Sequence, residues 1–152
     1  MKQINFYSVR DPYGEFSNFS KHRIFLKGKL WPDSEHYFQA QKFAGTEHEE
    51  AVRMAPTAKL AAEMGRDRKR PLRADWEGVK DDVMREAVRA KFTQHKELGK
   101  LLVGTGDAEL IEHTKNDAYW ADGGDGTGKN MLGKILMEIR AELRKACPGS
   151  AR

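Results

Sequence analysis

Trp31-Pro32-Asp33-Ser34-Glu35-His36-Tyr37-Phe38-Gln39-Ala40-Gln41-Lys42-Phe43 is the stretch on which the fold turns. It predicts a helix. Pro32 suits a first turn or the residue before it, and Asp33 or Ser34 can accept the unpaired N–H groups there. Glu35 and Lys42 are seven positions apart, so they lie nearly on one face, separated by roughly 10 Å of rise. Helical side chains lean toward the N-terminus, so the Lys42 arm leans back toward Glu35, with Phe38 and Gln39 between them. Trp31, Tyr37, Phe38, Phe43 and two glutamines leave little of this helix for water. A charge withdrawn from water needs a partner or a task. The face carrying Glu35 and Lys42 is therefore a candidate lining of a reaction site; an exposed helix with ordinary charges is the competing account.

The whole chain, at 152 residues, suits one domain with a real core. Apolar content of 39% and charged content of 33% describe a globular chain, not a disordered one. No apolar run approaches the length that spans a bilayer, and Met1-Lys2-Gln3-Ile4-Asn5 lacks the apolar segment of a signal peptide. Cys147 is the single cysteine, which excludes an internal disulfide and a thiolate metal cage. A cytoplasmic protein is the expectation. The net charge of +4 is a mild basic bias, compatible with phosphate-bearing ligands or nucleic acid.

Outward from the opening helix, Ile4–Val9 reads as a first strand and Asp11-Pro12-Tyr13-Gly14 as a turn. Arg23–Leu26 and Lys29–Trp31 flank Lys27-Gly28 as a hairpin. Short helices are expected over Glu47–Ala55, stopped by Pro56, and over Ala58–Met64, capped by Thr57 and ended by Gly65. Arg66–Arg73 is a basic loop. A long helix follows over Glu77–Gln94, with Val79, Val83, Ala87 and Lys91 on one line. A further short helix at His95–Val103 precedes a strand, Glu109–Thr114, that returns to the small sheet. The last helix, Asn130–Lys145, carries the apolar stripe Leu132, Ile135, Leu136, Ile139 and Leu143. The domain is expected over 1–147, with a frayed tail at 148–152.

Four further segments carry polar chemistry. Trp76, after Asp75, is either core or a flat platform for a base, and Lys80 one turn on can reach a phosphate. Asp117, in Asn116-Asp117-Ala118-Tyr119-Trp120, either caps a turn or forms with Glu35 the carboxylate pair that splits glycosidic bonds. Gly123 to Asn130 matches GxxxxGK formally, but Asn130 stands where a magnesium-binding Ser or Thr is needed, and too little chain follows for a parallel sheet. That loop is still suited to an anion at a helix start. Phe16-Ser17-Asn18-Phe19 offers two polar groups between aromatic anchors. The five histidines show no metal spacing, so no metal and no cofactor is expected.

In order along the chain, Glu15–Phe19, Gly28–Trp31, Ser34–Lys42, Asp75-Trp76 with Lys80 and Met84, Lys91-Phe92, Thr114–Trp120 and Gly128–Gly133 with Leu136-Met137 resemble the NADAR family, the YbiA-like N-glycosidases. One departure is visible: Ala121-Asp122-Gly123 follows Trp120 where the family pattern has a glycine. The resemblance implies an α+β fold, a compact single domain, mostly helical with a small β-sheet. It implies cleavage of N-glycosidic bonds on ribosylated heterocycles, either phosphoribosylamino-pyrimidine intermediates of riboflavin synthesis or ADP-ribose on guanine, in nucleotide or DNA. Glu35, Trp76 and Asp117 fall on the family's functional positions. In the mechanism this suggests, Glu35 moves protons and Asp117 holds a ribose hydroxyl or steadies positive charge at C1′. Lys42 either positions Glu35 or attacks C1′ as an amine. Candidate substrate contacts are Arg10, Ser17, Asn18, His36, Trp76, Lys80, Trp120 and Asn130. No membrane or obligate protein partner is expected. A non-catalytic ADP-ribose or nucleotide module is the alternative. The Arg66–Arg73 loop alone, with no aromatic residues interleaved, is a weaker candidate for binding DNA.

Overall fold

The computed structural model describes residues 2–146, so Cys147 and the expected tail at 148–152 lie outside the described residues. In chain order the elements are β1 (Gln3–Phe6), a 3-10 turn (Gly14–Phe16), β2 (Ile24–Leu26), β3 (Lys29–Trp31), α1 (Ser34–Gln41), α2 (Glu47–Arg53), α3 (Ala58–Arg66), α4 (Trp76–Gln94), α5 (Lys96–Gly104), β4 (Glu109–Glu112) and α6 (Met131–Ala146). They fall into two compact units: Asn18–Lys91, and the segments on either side of it.

The middle unit is built on α1. Every residue of this helix is buried, polar ones included. Asp33 caps it, its carboxylate accepting from the His36 N–H at 2.8 Å. The β2–β3 hairpin leads into it through Lys27 and Gly28, whose φ values of 55° and 73° form the left-handed pair of a type I′ turn. Trp31 closes the hairpin and meets Tyr37 edge-on, ring centroids 4.9 Å apart. Removing so large a buried ring would cost about 3–5 kcal/mol, well above what surface ion pairs return. Packing, not charge, therefore seats the hairpin on α1. Thr46 and Thr57 cap α2 and α3.

Gly65 does not end α3, which continues through Arg66. The glycine has no positive φ and serves another need. A Cβ at Gly65 would collide with the side-chain carbonyl of Gln39, so the missing side chain lets α3 press against α1.

The flanking unit pairs β1 with β4 in parallel, Ile4 opposite Leu110. Two separate two-stranded sheets thus replace the one small sheet expected. β1 is also shorter than expected, because Tyr7 and Val9 turn out to solvent. Phe6 and Phe16 pack edge-on, and Phe16 meets Phe92, each pair 5.7 Å apart. α6 buries Leu132, Ile135, Leu136 and Ile139 as its spacing requires, and also Arg140, which donates to Thr105 Oγ1 and the Ala108 carbonyl.

The start of α6 spends most of its backbone donors within the protein. The N–H groups of residues 128 to 132 donate to the carbonyls of Asp122, Ala118, Ala121, Tyr119 and Trp120, which takes these five from any anion. Asn130 is likewise structural. Its Oδ1 accepts from the Glu112 N–H at 3.0 Å and its Nδ2 donates to the Leu110 carbonyl at 2.9 Å, while its φ is 52°. Both ends of its amide are used on β4. Asn130→Ala loses two hydrogen bonds and places alanine in a left-handed conformation; urea unfolding should show a loss of about 2–4 kcal/mol.

Candidate active site

One face of α1 carries Glu35, Gln39 and Lys42. Glu35 is 7% exposed. Burial pushes its carboxyl up to about 7, against the pull of the Gln39 hydrogen bond and of the Lys42 and Arg66 charges; Asp33 adds to the rise. Gln39 Nε2 donates to Glu35 Oε2 at 2.8 Å. The other end of the same amide, Gln39 Oε1, is buried against Gly65 with no hydrogen-bond donor. Gln39 thus accepts an unsatisfied oxygen in order to keep its N–H on Glu35.

Lys42 does not form a direct pair with Glu35. Its ammonium donates to the Gly65 carbonyl at 3.3 Å and stands 5.8 Å and 6.0 Å from the ring centroids of Phe38 and Trp76. Burial pulls its pKa down to about 8, helped by Arg68, Arg66 and Lys80 and opposed by Glu35. An acid titrating near 7 and an amine near 8 on one helical face are suited to proton transfer and to attack on an electrophilic carbon at neutral pH.

Trp76 is the first residue of α4 and is buried, meeting Phe38 edge-on at 5.2 Å. With 5% of its surface exposed, it walls the site beside Lys42 and offers little ring face for stacking. Lys80 is held to Glu77 at 2.7 Å and contributes to the local positive field. His36 is engaged inside the protein at both ring nitrogens. Its Nδ1 faces Asp33 Oδ1 at 2.8 Å and its Nε2 faces the Ala55 carbonyl at 2.9 Å. Burial works against the charged ring, but the bonds to Asp33 and Ala55 outweigh it and raise its pKa. Asn18 is also engaged internally: Oδ1 accepts from Ser34 Oγ at 2.8 Å, and Nδ2 faces Met84 Sδ at 3.4 Å.

The opposite face of α1 presents Tyr37 and Gln41 to a pocket of about 590 Å³ shared with Arg73, Val83, Glu86 and Arg89. Its polar groups are largely paired within the protein. Tyr37 donates to Glu86, Lys27 to Gln41 and Glu49, and Arg73 to Asp75. The perturbed acid and amine lie on the other face, which makes that face the better candidate for chemistry.

In the flanking unit, Asp117 Oδ1 accepts from the N–H groups of Tyr119 and Trp120, each at 2.8 Å, so the carboxylate shapes its own loop. Trp120 is half-buried, edge-on to Tyr119. Ser17 is buried and Arg10 exposed. Asp122, which stands where the family pattern departs, is buried and accepts from His113 Nδ1 at 2.7 Å and from the Thr114 and Gly124 N–H groups. Among the described residues, no group of three or more His, Cys, Asp or Glu side chains could hold a metal ion. None of their helices is long and apolar enough to cross a membrane.

A model of the NADAR domain matches residues 5–144. The chain belongs to the NADAR family. It is 59% identical to the N-glycosidase YbiA of Escherichia coli, over 92% of this chain and 88% of that one. It is 44% identical to a riboflavin biosynthesis protein of Vibrio vulnificus, over 95% of this chain but 40% of the longer relative. The NMR structure of the E. coli protein YbiA superposes with a TM-score of 0.90 at 55% identity, covering 97% of this chain and 88% of that one. The mostly helical α+β fold with small sheets is therefore the family's own.

The two shifted groups bear on stability in separate pH windows. Glu35 is harder to ionise folded than unfolded, so its contribution is full below its ordinary value of 4.5 and is lost as pH rises through about 7. Lys42 is harder to protonate folded, so its contribution is full above its ordinary 10.5 and is lost as pH falls through about 8. Urea unfolding at pH 5 and at pH 7.5 should show the wild type losing stability relative to Glu35→Gln by up to about 3 kcal/mol. Equal pH dependence in both proteins would contradict the burial of an ionisable Glu35.

Proposed function

We propose that this NADAR enzyme, a hydrolase of N-glycosyl bonds, acts on a base or amine joined to ribose C1′, with Glu35 as proton donor and acceptor and Lys42 beside it. The observation that carries the reading is the buried Glu35, brought to about 7 by loss of water and held by Gln39, with an amine lowered to about 8 on the same face. A carboxyl half-protonated at neutral pH can protonate a departing heterocycle and then take a proton from water. A module that only bound the nucleotide would have no use for burying these two ionisable groups together.

Lys42 is the group suited to attack C1′ of the opened sugar. Its amine is partly neutral near pH 8, and its contact with the Gly65 carbonyl is a single hydrogen bond that attack would release. The base or amine leaves with a proton from Glu35, and water then hydrolyses the imine. Two substrate classes fit: the phosphoribosylamino-pyrimidines of riboflavin synthesis, favoured by the name of the Vibrio relative, and ADP-ribosylated guanine, in nucleotide or DNA. Trp76 walls the site against water, and Arg66 and Lys80 add positive charge around it.

Purified enzyme is to be incubated with each substrate class and release of free base measured. Glu35→Gln should lower the rate by about 100-fold or more with an unchanged melting temperature near pH 5; near-normal turnover would remove Glu35 from the mechanism. Borohydride during turnover should attach the sugar to Lys42, seen by mass spectrometry of the peptide. Turnover without an adduct leaves Lys42 only the task of positioning.

A further inference from the structure

The carbonyl of Gly65 receives two cationic donors, Lys42 Nζ and Arg68 Nη2. A carbonyl oxygen has two lone pairs and can accept from both donors. Doing so places an ammonium and a guanidinium side by side, and like charges repel. Arg68 is fixed further by its Nε, which donates to the Arg66 carbonyl at 3.3 Å. The Arg66 guanidinium has no hydrogen bond or ion pair among the described residues and bears electrostatically on both Glu35 and Lys42. Lys80 adds to the same field. The carboxyl facing these cations is Glu35, largely protonated below about pH 7, and the Glu77 partner of Lys80 has a side chain 80% exposed. The cations outnumber the anions at the very place where the amine is lowered.

We propose that Arg68 and Arg66, with Lys42 and Lys80 beside them, form a subsite for a phosphate or diphosphate group at the end of α3. An anion there accepts from both guanidinium groups and relieves the crowding of charge around the Gly65 carbonyl. The inference rests on the proposed function for its substrate and extends it: the phosphate end of the ribosylated molecule is held by the turn after α3, which brings C1′ toward the Glu35 face of α1. This gives the start of the basic loop a task that does not depend on stacking nucleic-acid bases.

Isothermal titration with inorganic pyrophosphate tests this without turnover. The wild type should bind. Affinity should fall about tenfold or more in Arg68→Ala and fall also in Arg66→Ala, which breaks no side-chain hydrogen bond or ion pair among the described residues. Arg68→Lys should recover part of the loss. Lys59→Ala, on the exposed side of α3, should bind as the wild type does. A lower melting temperature in Arg68→Ala with unchanged pyrophosphate affinity would reduce Arg68 to a helix cap and overturn the subsite, as would equal binding by Arg66→Ala. Glu35→Gln should still bind pyrophosphate; if that variant also retained turnover, the assignment of Glu35 would fall while the subsite stood.

Discussion

The middle unit depends on the complete burial of α1. A helix of eight residues, two of them aromatic and most of the others polar, gives up contact with water along its whole length. Each polar group on it must then be answered inside the protein. Asp33 answers the helix start and His36 together. Ser34 answers Asn18. Gln41 donates to Glu49 on one side of α1, while on the other Gln39 donates to Glu35. The candidate functional face is what remains when these demands have been met: a carboxyl short of donors and an amine drawn off to a backbone carbonyl. Shifts of this size come from withdrawing charge from water, and the fold withdraws both groups with one helix.

Gly65 ties the two together. Its bare Cα admits Gln39, and its carbonyl holds Lys42 and Arg68. One residue on α3 therefore fixes the position of the amide that donates to Glu35 and of the Lys42 amine. The same position explains why Gln39 tolerates an unsatisfied oxygen. Moving away from Gly65 to find a donor would cost the bond to Glu35.

Local signals were readable in the chain. Asp33 as a cap, Lys27-Gly28 as a tight turn, Thr57 as the start of α3 and the apolar stripe of α6 each act over a few residues and leave a mark in sequence. The density of aromatic residues around Glu35 and Lys42 signalled a buried charged face, and α1 has that character. Effects acting across space were not readable. The parallel pairing of β1 with β4 joins segments about a hundred residues apart, so a single sheet was the simpler expectation. Gly65 looked like a helix stop because its packing partner is on another helix. Asn130 looked like a ligand contact because sequence cannot show that its amide is already spent on β4. His36, beside Glu35 in the chain, points the other way around α1 and holds up the loop at Ala55.

The meeting of α3's carbonyl end with Lys42 and Arg68 also bears on how long a bound molecule stays. A helix ends in partial negative charge, so the cations have a standing alternative to any anion that arrives. At the proposed subsite, binding exchanges one set of contacts for another instead of filling empty ones. There the departure of an anion hands Lys42 and Arg68 back to the Gly65 carbonyl, crowded but hydrogen-bonded.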